Sequence, residues 1–579
     1  MKNVLIANRG EIALRIVRAC HDTGLNAIAV YADPDADALF VRHADAAYAL
    51  PGTTPAQTYL NIPALLAIAK RAGADAVHPG YGFLSENADF ARAVEAAGMV
   101  WIGPPPAAIT QLGDKIAARQ IATSVGAPLV PGTDGPVATG DDIRAFVRDH
   151  GLPIAIKAAA GGGGRGMRIV RDASEIDDMF AAATSEATTA FGNGACYVER
   201  FLDRPRHVEA QVIADTHGNV VVVGLRDCSL QRRNQKLIEE APAPFLPPAI
   251  ETRIATAARD ICKAAGYRGA GTVEFLLGAD GLVSFLEVNT RLQVEHPVTE
   301  ETTGLDLVAE QFRIAQGLPL SITDTPAPTG HAIEFRINAE DPGRGFLPTP
   351  GPITRFDTPA GPGIRLDSGV AAGDSVAGAF DSLMAKLIVT GPTRDIALAR
   401  ARRALAEFHI EGVASVLPFA RAVLNAPDFN GSAPFAVHTR WIETDFADDL
   451  ASALRVTPAD KAVVRGRIEI DGQQHDIAIG PDLLSRIAAK IGTSPAPATT
   501  AAPAEQPAPP ANTITAPMAG TLARWIVADG TAVAAGTPVA IIEAMKMEVE
   551  ITAPTAGRLH QQAAQGQPLA QGQPIGTLQ

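Results

Sequence analysis

Residues 274–287 read Glu274-Phe275-Leu276-Leu277-Gly278-Ala279-Asp280-Gly281-Leu282-Val283-Ser284-Phe285-Leu286-Glu287. Apolar runs flank Asp280-Gly281, a dipeptide that favours a two-residue turn, so the stretch predicts a β-hairpin. With that turn Glu274 and Glu287 face each other on one side of the hairpin, with Cβ atoms about 5 Å apart. Facing carboxylates repel unless a proton or cation lies between them, and Mg²⁺ or Mn²⁺ prefers oxygen ligands. The hairpin therefore predicts a divalent-cation site; a solvated pair of edge carboxylates is the alternative.

A polar pattern continues directly beyond this hairpin. The polar residues at every second position are Glu287, Asn289, Arg291, Gln293 and Glu295, which alternate with Val288, Thr290, Leu292 and Val294. In an extended conformation these five polar side chains fall on one face. Oxygen ligands, a guanidinium and a further carboxylate on one face suit a metal, an oxyanion and a base.

A glycine-rich segment lies upstream, Lys157-Ala158-Ala159-Ala160-Gly161-Gly162-Gly163-Gly164-Arg165-Gly166-Met167. Consecutive glycines leave the backbone free to close over phosphates with its N–H groups. The sequence contains no Gly-x4-Gly-Lys-Ser/Thr, so this segment is not a Walker loop. A flexible surface linker is the alternative, and the downstream carboxylates favour the phosphate interpretation.

Strands and helices alternate in the N-terminal part, which predicts α/β layering. The predicted elements are strands at 4–7, 27–31, 153–157 and 220–224, a helix at 11–20, and a hairpin at 468–479 with a turn at Asp471-Gly472.

Composition restricts the class of protein. The 579 residues carry a net charge of −14, which argues against nucleic acid or an anionic membrane as partner. Hydrophobic residues make up 47% of the chain, enough for several cores, and the length suggests about four domains at ~150 residues each. No run of about 18 apolar residues predicts a membrane span, and Arg9 and Glu11 come too early for a secretory signal, so we expect a cytoplasmic protein. The four cysteines form no CxxC pair and are expected to be reduced and mostly buried.

An Ala/Pro-rich segment, residues 494–512, separates the C-terminal region from the rest. It has no aromatic residue with which to build a core and predicts an extended tether. Beyond it, Thr515-Ala516-Pro517-Met518-Ala519-Gly520 recurs as Thr552-Ala553-Pro554-Thr555-Ala556-Gly557. Two similar β-rich halves predict a flattened barrel or sandwich with pseudo-twofold symmetry. The symmetry places residues 543–548 at an exposed hairpin, with Lys546 at its tip.

Two methionines flank this lysine. Ala544-Met545-Lys546-Met547 resembles the biotin attachment signature of biotin carboxyl carrier domains. The resemblance implies covalent biotin on Lys546. Lipoate is the alternative, but lipoyl domains typically have Asp or Val before the lysine.

The body, residues 1 to about 445, is similar to biotin carboxylase of the ATP-grasp superfamily. The stretches that carry the resemblance are residues 78–87 (His78-Pro79-Gly80-Tyr81-Gly82-Phe83-Leu84-Ser85-Glu86-Asn87), 206–209, 231–233, 287–296 and 335–341. The implied fold class is a multidomain α/β and α+β protein, an ATP-grasp biotin carboxylase body with a C-terminal all-β biotinyl domain. The implied domains are 1–113 (N-terminal α/β, pre-ATP-grasp), 114–330 (ATP-grasp, with a mobile lid at about 131–203), 331–445 (biotin carboxylase C-terminal), 446–493 (a link and possible subunit-contact element), 494–512 (tether) and 513–579 (biotinyl).

The resemblance also implies roles for individual residues. Those expected around ATP are Lys115, Lys157, Glu199, Leu202, His207 and Gln231, with loop 161–166, including Gly162, Gly163 and Gly164, as its cover. Glu274, Glu287 and Asn289 are expected to bind Mg²⁺ or Mn²⁺; Arg291, Gln293 and Val294 are expected to bind bicarbonate, with Lys236 nearby. Glu295 is expected to deprotonate bicarbonate, which attacks the γ-phosphate to give carboxyphosphate. Arg336 is expected to stabilise the negative oxygen of the biotin enolate, and Tyr81 to contact biotin; an ion pair of Arg336 with Glu340 is the structural alternative.

One position departs from the family's pattern. The family commonly has Gln-Arg-Arg-His-Gln-Lys where this chain has Gln231-Arg232-Arg233-Asn234-Gln235-Lys236. Asn234 can form hydrogen bonds but cannot carry a positive charge, which weakens the case for a phosphate contact there.

The predicted function is that of the biotin-containing α subunit of an acyl-CoA carboxylase, of the acetyl-/propionyl-CoA type. It would carboxylate its own biotin with ATP and bicarbonate. The sequence accommodates no carboxyltransferase domain, so a separate carboxyltransferase β subunit is the expected partner, with biotin protein ligase as modifying enzyme. The alternatives are the carboxylase subunit of a two-subunit pyruvate carboxylase or another biotin-dependent carboxylase, and a non-catalytic biotin carrier or scaffold.

Overall fold

A computed structural model gives the fold. It describes residues 1–159, 167–191, 193–431, 435–454, 464–470, 473–479, 510, 512–518, 520–544, 547–570 and 572–579. A first compact unit contains Met1–Asp448, and a second contains most of the remaining chain.

A parallel sheet with helices forms the N-terminal part. Its elements are β1 (Asn3–Ile6), α1 (Gly10–Asp22), β2 (Asn26–Ala32), α2 (Leu39–His43), β3 (Ala46–Leu50), α3 (Ile62–Arg71), β4 (Ala76–His78), α4 (Ala88–Ala96), β5 (Val100–Trp101) and α5 (Pro106–Gly113), with a 3₁₀ helix at Asp33–Asp35. The strand order is β3-β2-β1-β4-β5. The first strands are continuous apolar runs, as expected for strands covered on both faces. The predicted strands at 4–7 and 27–31 and the helix at 11–20 are confirmed, each shifted at its ends.

The next part is a small antiparallel sheet packed with helices. Its elements are α6 (Lys115–Ser124), α7 (Gly140–His150), β6 (Ile154–Ala158), β7 (Met167–Val170), α8 (Ile176–Phe191) and β8 (Cys196–Arg200), with a 3₁₀ helix at Ala173–Glu175. The strand order is β7-β6-β8, and Ala155 pairs with Glu199 while Lys157 pairs with Tyr197. Side chains two residues apart share a face, so this register puts Lys157 and Glu199 on the same side.

An eight-stranded antiparallel sheet joins the middle and C-terminal parts of the first unit. The elements from here are β9 (Arg206–Ala214), β10 (Val220–Arg232), β11 (Gln235–Ala241), α9 (Pro248–Ala264), β12 (Gly269–Leu277), β13 (Val283–Asn289), α10 (His296–Thr303), α11 (Leu307–Ala315), β14 (His331–Asn338), β15 (Glu340–Asp341), a 3₁₀ helix (Pro342–Arg344), β16 (Leu347–Pro348), β17 (Gly351–Pro352), β18 (Arg355–Asp357), β19 (Ile364–Ser368), β20 (Ser375–Val376), β21 (Leu383–Gly391), α12 (Arg394–Glu407), β22 (His409–Glu411), α13 (Leu417–Val423), α14 (Pro427–Asn430), α15 (Trp441–Thr444) and α16 (Ala447–Leu454). The sheet order is β13-β12-β9-β10-β11-β14-β21-β19. Strands far apart in sequence thus bring their polar faces to one surface.

The metal hairpin of the sequence analysis forms, but its turn differs from the prediction. Glu274 pairs with Glu287 as expected. The loop, however, has three residues rather than two: the Gly278 N–H donates to the Leu282 carbonyl, and Gly281 has φ +80°. A β-bulge between the pairs Glu274–Glu287 and Phe275–Phe285 shifts the register back by one residue. The two-residue turn was wrong, and the bulge restores the predicted pair.

The extended conformation predicted through Glu295 is also wrong beyond Asn289. Strand β13 ends at Asn289, and Glu295 is the N-cap residue of α10 with φ −82° and ψ 11°. Several of the polar side chains still lie close together, because Lys236 on β11 binds Glu209 on β9 together with Glu274 and Glu295.

The C-terminal unit is built from β-strands. Its elements are β23 (Val464–Ile470), β24 (Gln473–Ile479), β25 (Thr513–Thr515), β26 (Gly520–Trp525), β27 (Ala532–Val533), β28 (Pro538–Ala544), β29 (Met547–Thr552), β30 (Gly557–Gln561), β31 (Pro568–Leu569) and β32 (Pro574–Leu578). The first two strands pair antiparallel and confirm the hairpin predicted at 468–479, whose turn residues Asp471 and Gly472 lie outside the described residues. The later strands form two four-stranded sheets, ordered β25-β32-β30-β27 and β29-β28-β26-β31, as a sandwich requires.

All four cysteines are free and buried, as predicted. Among the described residues, no helix is both long and apolar enough to cross a membrane.

Candidate active site

A cavity of about 1520 Å³ opens between the small sheet and the eight-stranded sheet. The predicted site residues that line it are Tyr81, Lys115, Lys157, Glu199, Leu202, His207, Gln231, Lys236, Glu274, Glu287, Asn289, Arg291, Gln293, Val294 and Arg336. Glu295 lies just beneath the surface of the cavity and is fully buried. Gly162, Gly163, Gly164 and Lys546 lie outside the described residues.

Lys236 on β11 is the centre of the site. Its Nζ lies 2.6 Å from Glu209 Oε2, 2.9 Å from Glu274 Oε1 and 2.7 Å from Glu295 Oε1. Burial acts to lower the pKa of Lys236, but these three carboxylates outweigh it and raise the pKa well above its ordinary value. Lys236 is therefore a fixed cation that joins the predicted metal ligands to the predicted base.

Glu295 is held between two cations. Its Oε1 accepts from Lys236, and its Oε2 accepts from Arg336 NH2 at 2.9 Å. Burial opposes ionisation, yet Lys236, Arg336 and Arg226 together hold the pKa of Glu295 well below its ordinary value. The carboxylate is thus ionised at neutral pH, the form in which it can accept a proton.

The predicted metal ligands meet at the hairpin. Glu274 Oε1 accepts hydrogen bonds from Asn289 Nδ2 at 2.7 Å and from Gln293 Nε2 at 3.0 Å. Burial first, and then the charge of Glu274, raise the pKa of Glu287. Two carboxylates that resist joint ionisation and a neighbouring amide form an oxygen-rich donor set, so these residues fit Mg²⁺ or Mn²⁺.

Substitution of Glu287 by glutamine is expected to keep the fold and to weaken the response of ATP cleavage to divalent ions, because one anionic ligand becomes a neutral amide. A Mg²⁺ titration of ATP cleavage should shift to higher concentration by about tenfold or more, the equivalent of one lost charged contact. Glu251→Gln, an exposed carboxylate in the first turn of α9, is the matched control. An unchanged Mg²⁺ titration would show that Glu287 does not bind the divalent ion.

Three cations converge at the other end of the cavity. Lys157 forms an ion pair with Glu199, and Arg119 NH1 lies 3.1 Å from the other oxygen of Glu199. Burial first, and then the charges of Lys115 and Arg119, lower the pKa of Lys157 to about 8. Cations that repel one another in a cleft are arranged for a polyanion such as a triphosphate.

His207 and Gln231 connect this end to the carboxylates. His207 Nε2 lies 3.0 Å from Glu274 Oε2, and its Nδ1 lies 3.2 Å from Gln231 Nε2. Burial acts against protonation, but Glu274 outweighs it and raises the pKa of His207. Leu202, just after β8, supplies an apolar wall to the cavity.

The predicted anion site beside Glu295 is organised by three hydrogen bonds. Arg291 Nε donates to Glu86 Oε2 at 2.9 Å, and its NH2 donates to Asn289 Oδ1 at 3.1 Å. The Val294 carbonyl accepts from Lys386 Nζ at 2.8 Å. These contacts fix a guanidinium and a backbone segment on either side of Gln293.

Arg336 and Tyr81 form the third side of the cavity. Arg336 Nε donates to Glu239 Oε1 at 2.6 Å while NH2 binds Glu295, so the pairing with Glu340 weighed above is wrong. Glu340 instead accepts from Ser382 Oγ at 2.5 Å. The Tyr81 hydroxyl donates to Glu11 Oε1. The guanidinium of Arg336 thus contacts the predicted base Glu295 and also lines the cavity.

Asn234 has a structural explanation. Arg233 and Asn234 have φ +48° and +64° and form the two-residue turn between β10 and β11. Asn tolerates this left-handed conformation better than most residues. Asn234 lines the cavity through this turn.

Sequence reasoning assigned no role to several residues that complete the site. These are Glu11, Glu86, Arg119, Glu209, Arg226, Glu239 and Lys386. Glu209 could have been found, because His207, Glu209 and Gln211 alternate with Val208 and Ala210 on one strand. The others lie on helices, loops and strands that are far apart in sequence and meet only in the folded chain, so no local pattern reveals them.

Comparison with known proteins gives matches over nearly the whole chain. The matching family models are described as "Biotin carboxylase, N-terminal domain" (residues 1–109), "Carbamoyl-phosphate synthase L chain, ATP binding domain" (114–323), "Biotin carboxylase C-terminal domain" (334–444) and "Biotin-requiring enzyme" (512–578). The chain is 55% identical over 562 residues to the biotin-dependent acyl-coenzyme A carboxylase alpha3 subunit of Mycobacterium leprae, which covers 95% of this chain and 94% of the relative.

Two solved structures are similar to the first unit. The biotin carboxylase–βγ-ATP complex from Campylobacter jejuni is 43% identical with a TM-score of 0.71, covering 76% of this chain and 98% of that chain. The biotin carboxylase domain dimer of 2-oxoglutarate carboxylase from Hydrogenobacter thermophilus, in complex with MgADP, ADP and bicarbonate, is 42% identical with a TM-score of 0.71 and covers 78% of this chain and 98% of that chain.

Proposed function

This chain belongs to the biotin-dependent acyl-CoA carboxylase alpha subunits, a biotin carboxylase joined to a biotin carrier domain, and on that premise we propose how its cavity carries out the reaction. The enzyme uses ATP and bicarbonate to carboxylate biotin. The observation that carries the assignment of roles is the contact of Lys236 with Glu209, Glu274 and Glu295, which joins metal ligands and base in one cluster.

The phosphate end of the cavity binds ATP. Lys115, Arg119 and Lys157 neutralise the phosphates, while Glu274, Glu287 and Asn289 would hold Mg²⁺ or Mn²⁺. When bound, the metal ion offsets the negative charge of the phosphates. His207 and Gln231 fix the orientation of Glu274, and Leu202 supports the adenine side.

Glu295 serves as the base for bicarbonate. Bound bicarbonate would attract Lys236 and Arg291, and this would withdraw positive charge from Glu295. The pKa of Glu295 would then rise from its depressed value, so the carboxylate gains basicity when substrate is in place. Arg291, Gln293 and the Val294 backbone position the anion for attack on the γ-phosphate.

Arg336 acts on the acceptor side. Biotin supplies a ureido nitrogen that takes the carboxyl group. Arg336 presents a guanidinium to the negative charge on the ureido oxygen, a contact that is strongest where water is excluded. Tyr81, fixed by Glu11, provides a wall for the acceptor.

Lys546 is proposed as the biotin-carrying lysine because of its position in the sequence between two described strands. Strands β28 and β29 are neighbours in one sheet, and the residues between them are Met545 and Lys546. This arrangement fits a carrier lysine at the connection of two strands.

Lys546→Arg is expected to abolish biotin attachment, because arginine keeps the charge but cannot form the amide. Intact-mass measurement after co-expression with a biotin ligase should show one biotin on the wild type and none on this variant. Lys70→Arg, an exposed lysine on α3, should carry one biotin as the wild type does. Biotin on another lysine would contradict the assignment.

An alpha subunit implies a carboxyltransferase partner in general. We propose a separate β subunit that transfers the carboxyl group to acetyl-CoA or propionyl-CoA, and biotin protein ligase as modifying partner. The 55% identity to an acyl-CoA carboxylase subunit favours this over a pyruvate carboxylase. Co-purification of the native partner, followed by assay of CoA substrates and pyruvate with labelled bicarbonate, distinguishes the two.

A further inference from the structure

Two buried glutamates lie directly opposite each other behind Arg336. Glu239 on β11 pairs with Glu334 on β14, a register that brings Cα atoms to about 5 Å and side chains to one face. Both residues are almost completely inaccessible to solvent. Glu239 uses one oxygen to accept from Arg336, but its Oε2 and both oxygens of Glu334 have no hydrogen-bond partner among the described residues.

The charged groups that face this pair are already engaged elsewhere. They are Lys386 from β21, Arg336 from β14, Lys236 from β11 and Glu295 at the start of α10, with the thiol of Cys228 from β10. Lys386 Nζ binds the Val294 carbonyl and lies 3.1 Å from Glu11 Oε1. Lys236 is held by three other carboxylates. Among the described residues, no cation forms a hydrogen bond with Glu334.

A buried carboxylate without a partner is costly to ionise, and two facing carboxylates cannot both ionise cheaply. Burial first, with the charge of Glu295 added, outweighs Arg336 and raises the pKa of Glu239 to about 7. Burial first, with the charges of Glu239 and Glu295, outweighs Lys386 and raises the pKa of Glu334 well above its ordinary value.

We propose that Glu239 and Glu334 share one proton, and that Glu334 is a positioning residue that donates this proton to the unpartnered Oε2 of Glu239. Glu239 then stays ionised toward Arg336, and Arg336 stays shared between Glu239 and Glu295. The inference rests on the proposed role of Arg336 at the acceptor side. The proposal involves no covalent chemistry beyond the position of this one shared proton.

The shared proton makes the acceptor step sensitive to alkaline pH. When the pair loses its proton, the second carboxylate attracts Arg336 away from Glu295 and from the cavity. Biotin carboxylation should then fall with rising pH more steeply than biotin-independent ATP cleavage, because ATP cleavage involves Arg336 only through its contact with Glu295, which Lys236 also binds.

The test compares the full-length wild type with Glu334→Gln and Glu334→Leu. Glutamine can donate an N–H to Glu239 but cannot ionise, whereas leucine provides no donor. The ratio of biotin carboxylation to biotin-independent ATP cleavage should fall at alkaline pH in the wild type and stay flat in Glu334→Gln. At neutral pH the ratio should be about tenfold lower in Glu334→Leu than in Glu334→Gln, the effect of one lost hydrogen bond to a charged group.

A direct readout separates this inference from the proposed function. Infrared difference spectra between the wild type and Glu334→Gln at neutral pH should contain a protonated carboxylic acid band that belongs to Glu334. Glu310→Gln, whose buried carboxylate accepts from the Ser321 backbone N–H, is the control and should leave both the band and the pH profile unchanged. Absence of the band, or an alkaline fall that persists in Glu334→Gln, overturns the shared proton. If the wild type shows the band but does not carboxylate biotin, the shared proton stands and only the proposed function is contradicted.

Discussion

Glu295→Gln is expected to reduce bicarbonate-dependent ATP cleavage by about 10²–10⁴, the usual contribution of a positioned general base. The amide keeps the size of the side chain but cannot accept the proton of bicarbonate. Lys236 and Arg336, which both bind Glu295 now, would remain as cations near the anion, so binding of bicarbonate should suffer less than turnover. Measurement of kcat and KM for bicarbonate by phosphate release separates these two effects.

The matched control for this substitution lies on the same helix. Glu301 on α10 is partly exposed and pairs with Arg365 at 3.2 Å, away from Lys236 and Arg336. Glu301→Gln should therefore cleave ATP as the wild type does. Normal bicarbonate-dependent turnover in folded Glu295→Gln would show that Glu295 only holds the two cations in place and is not the base.

The metal hairpin shows what local sequence can predict and where it fails. The pairing of Glu274 with Glu287 follows from a turn at Asp280-Gly281 only if the loop has two residues. The real loop has three, and the bulge beside Glu287 compensates for the extra residue. Strand register depends on both features, and a bulge has no reliable local signal in a single sequence.

The alternating polar residues after the hairpin were assigned the wrong conformation beyond Asn289. Their period of two predicted a strand to Glu295, yet the strand ends at Asn289 and a helix begins at His296. The convergence of these side chains was still predicted correctly, since Asn289, Gln293 and Glu295 meet at Glu274 and Lys236. Functional residues converge because distant strands supply their partners, so polar spacing is informative even where the inferred conformation is not.

The pair Glu239–Glu334 lies beyond any local pattern. Neither residue is distinguished by the sequence of its own strand, and only the pairing of β11 with β14 places them face to face. The same is true of Lys386, which is fully buried on β21 and reaches Glu11 in the N-terminal part. Charges that are neutralised across the sheet cannot be recognised until the strand order is known.

Arg336→Gln is expected to lower biotin carboxylation by about 10²–10³, the usual effect of removing one preorganised donor to a developing oxyanion. Biotin-independent ATP cleavage should fall much less, because Lys236 still binds Glu295 and, among the described residues, the metal ligands form no hydrogen bond with Arg336. Both activities should be measured on the same preparation, with free biotin as acceptor and with circular dichroism to verify the fold.

Two further variants make this result specific to the guanidinium. Arg336→Lys retains a positive charge but cannot bind Glu239 and Glu295 with two separate nitrogens, so it should recover only part of the biotin carboxylation. Arg403→Gln removes an exposed arginine that pairs with Glu407 on α12 and should leave both activities unchanged. The critical quantity is the ratio of the two activities in Arg336→Gln. An equal loss of both would mean that Arg336 supports the structure of the whole site, while a selective loss of biotin carboxylation places its charge at the acceptor.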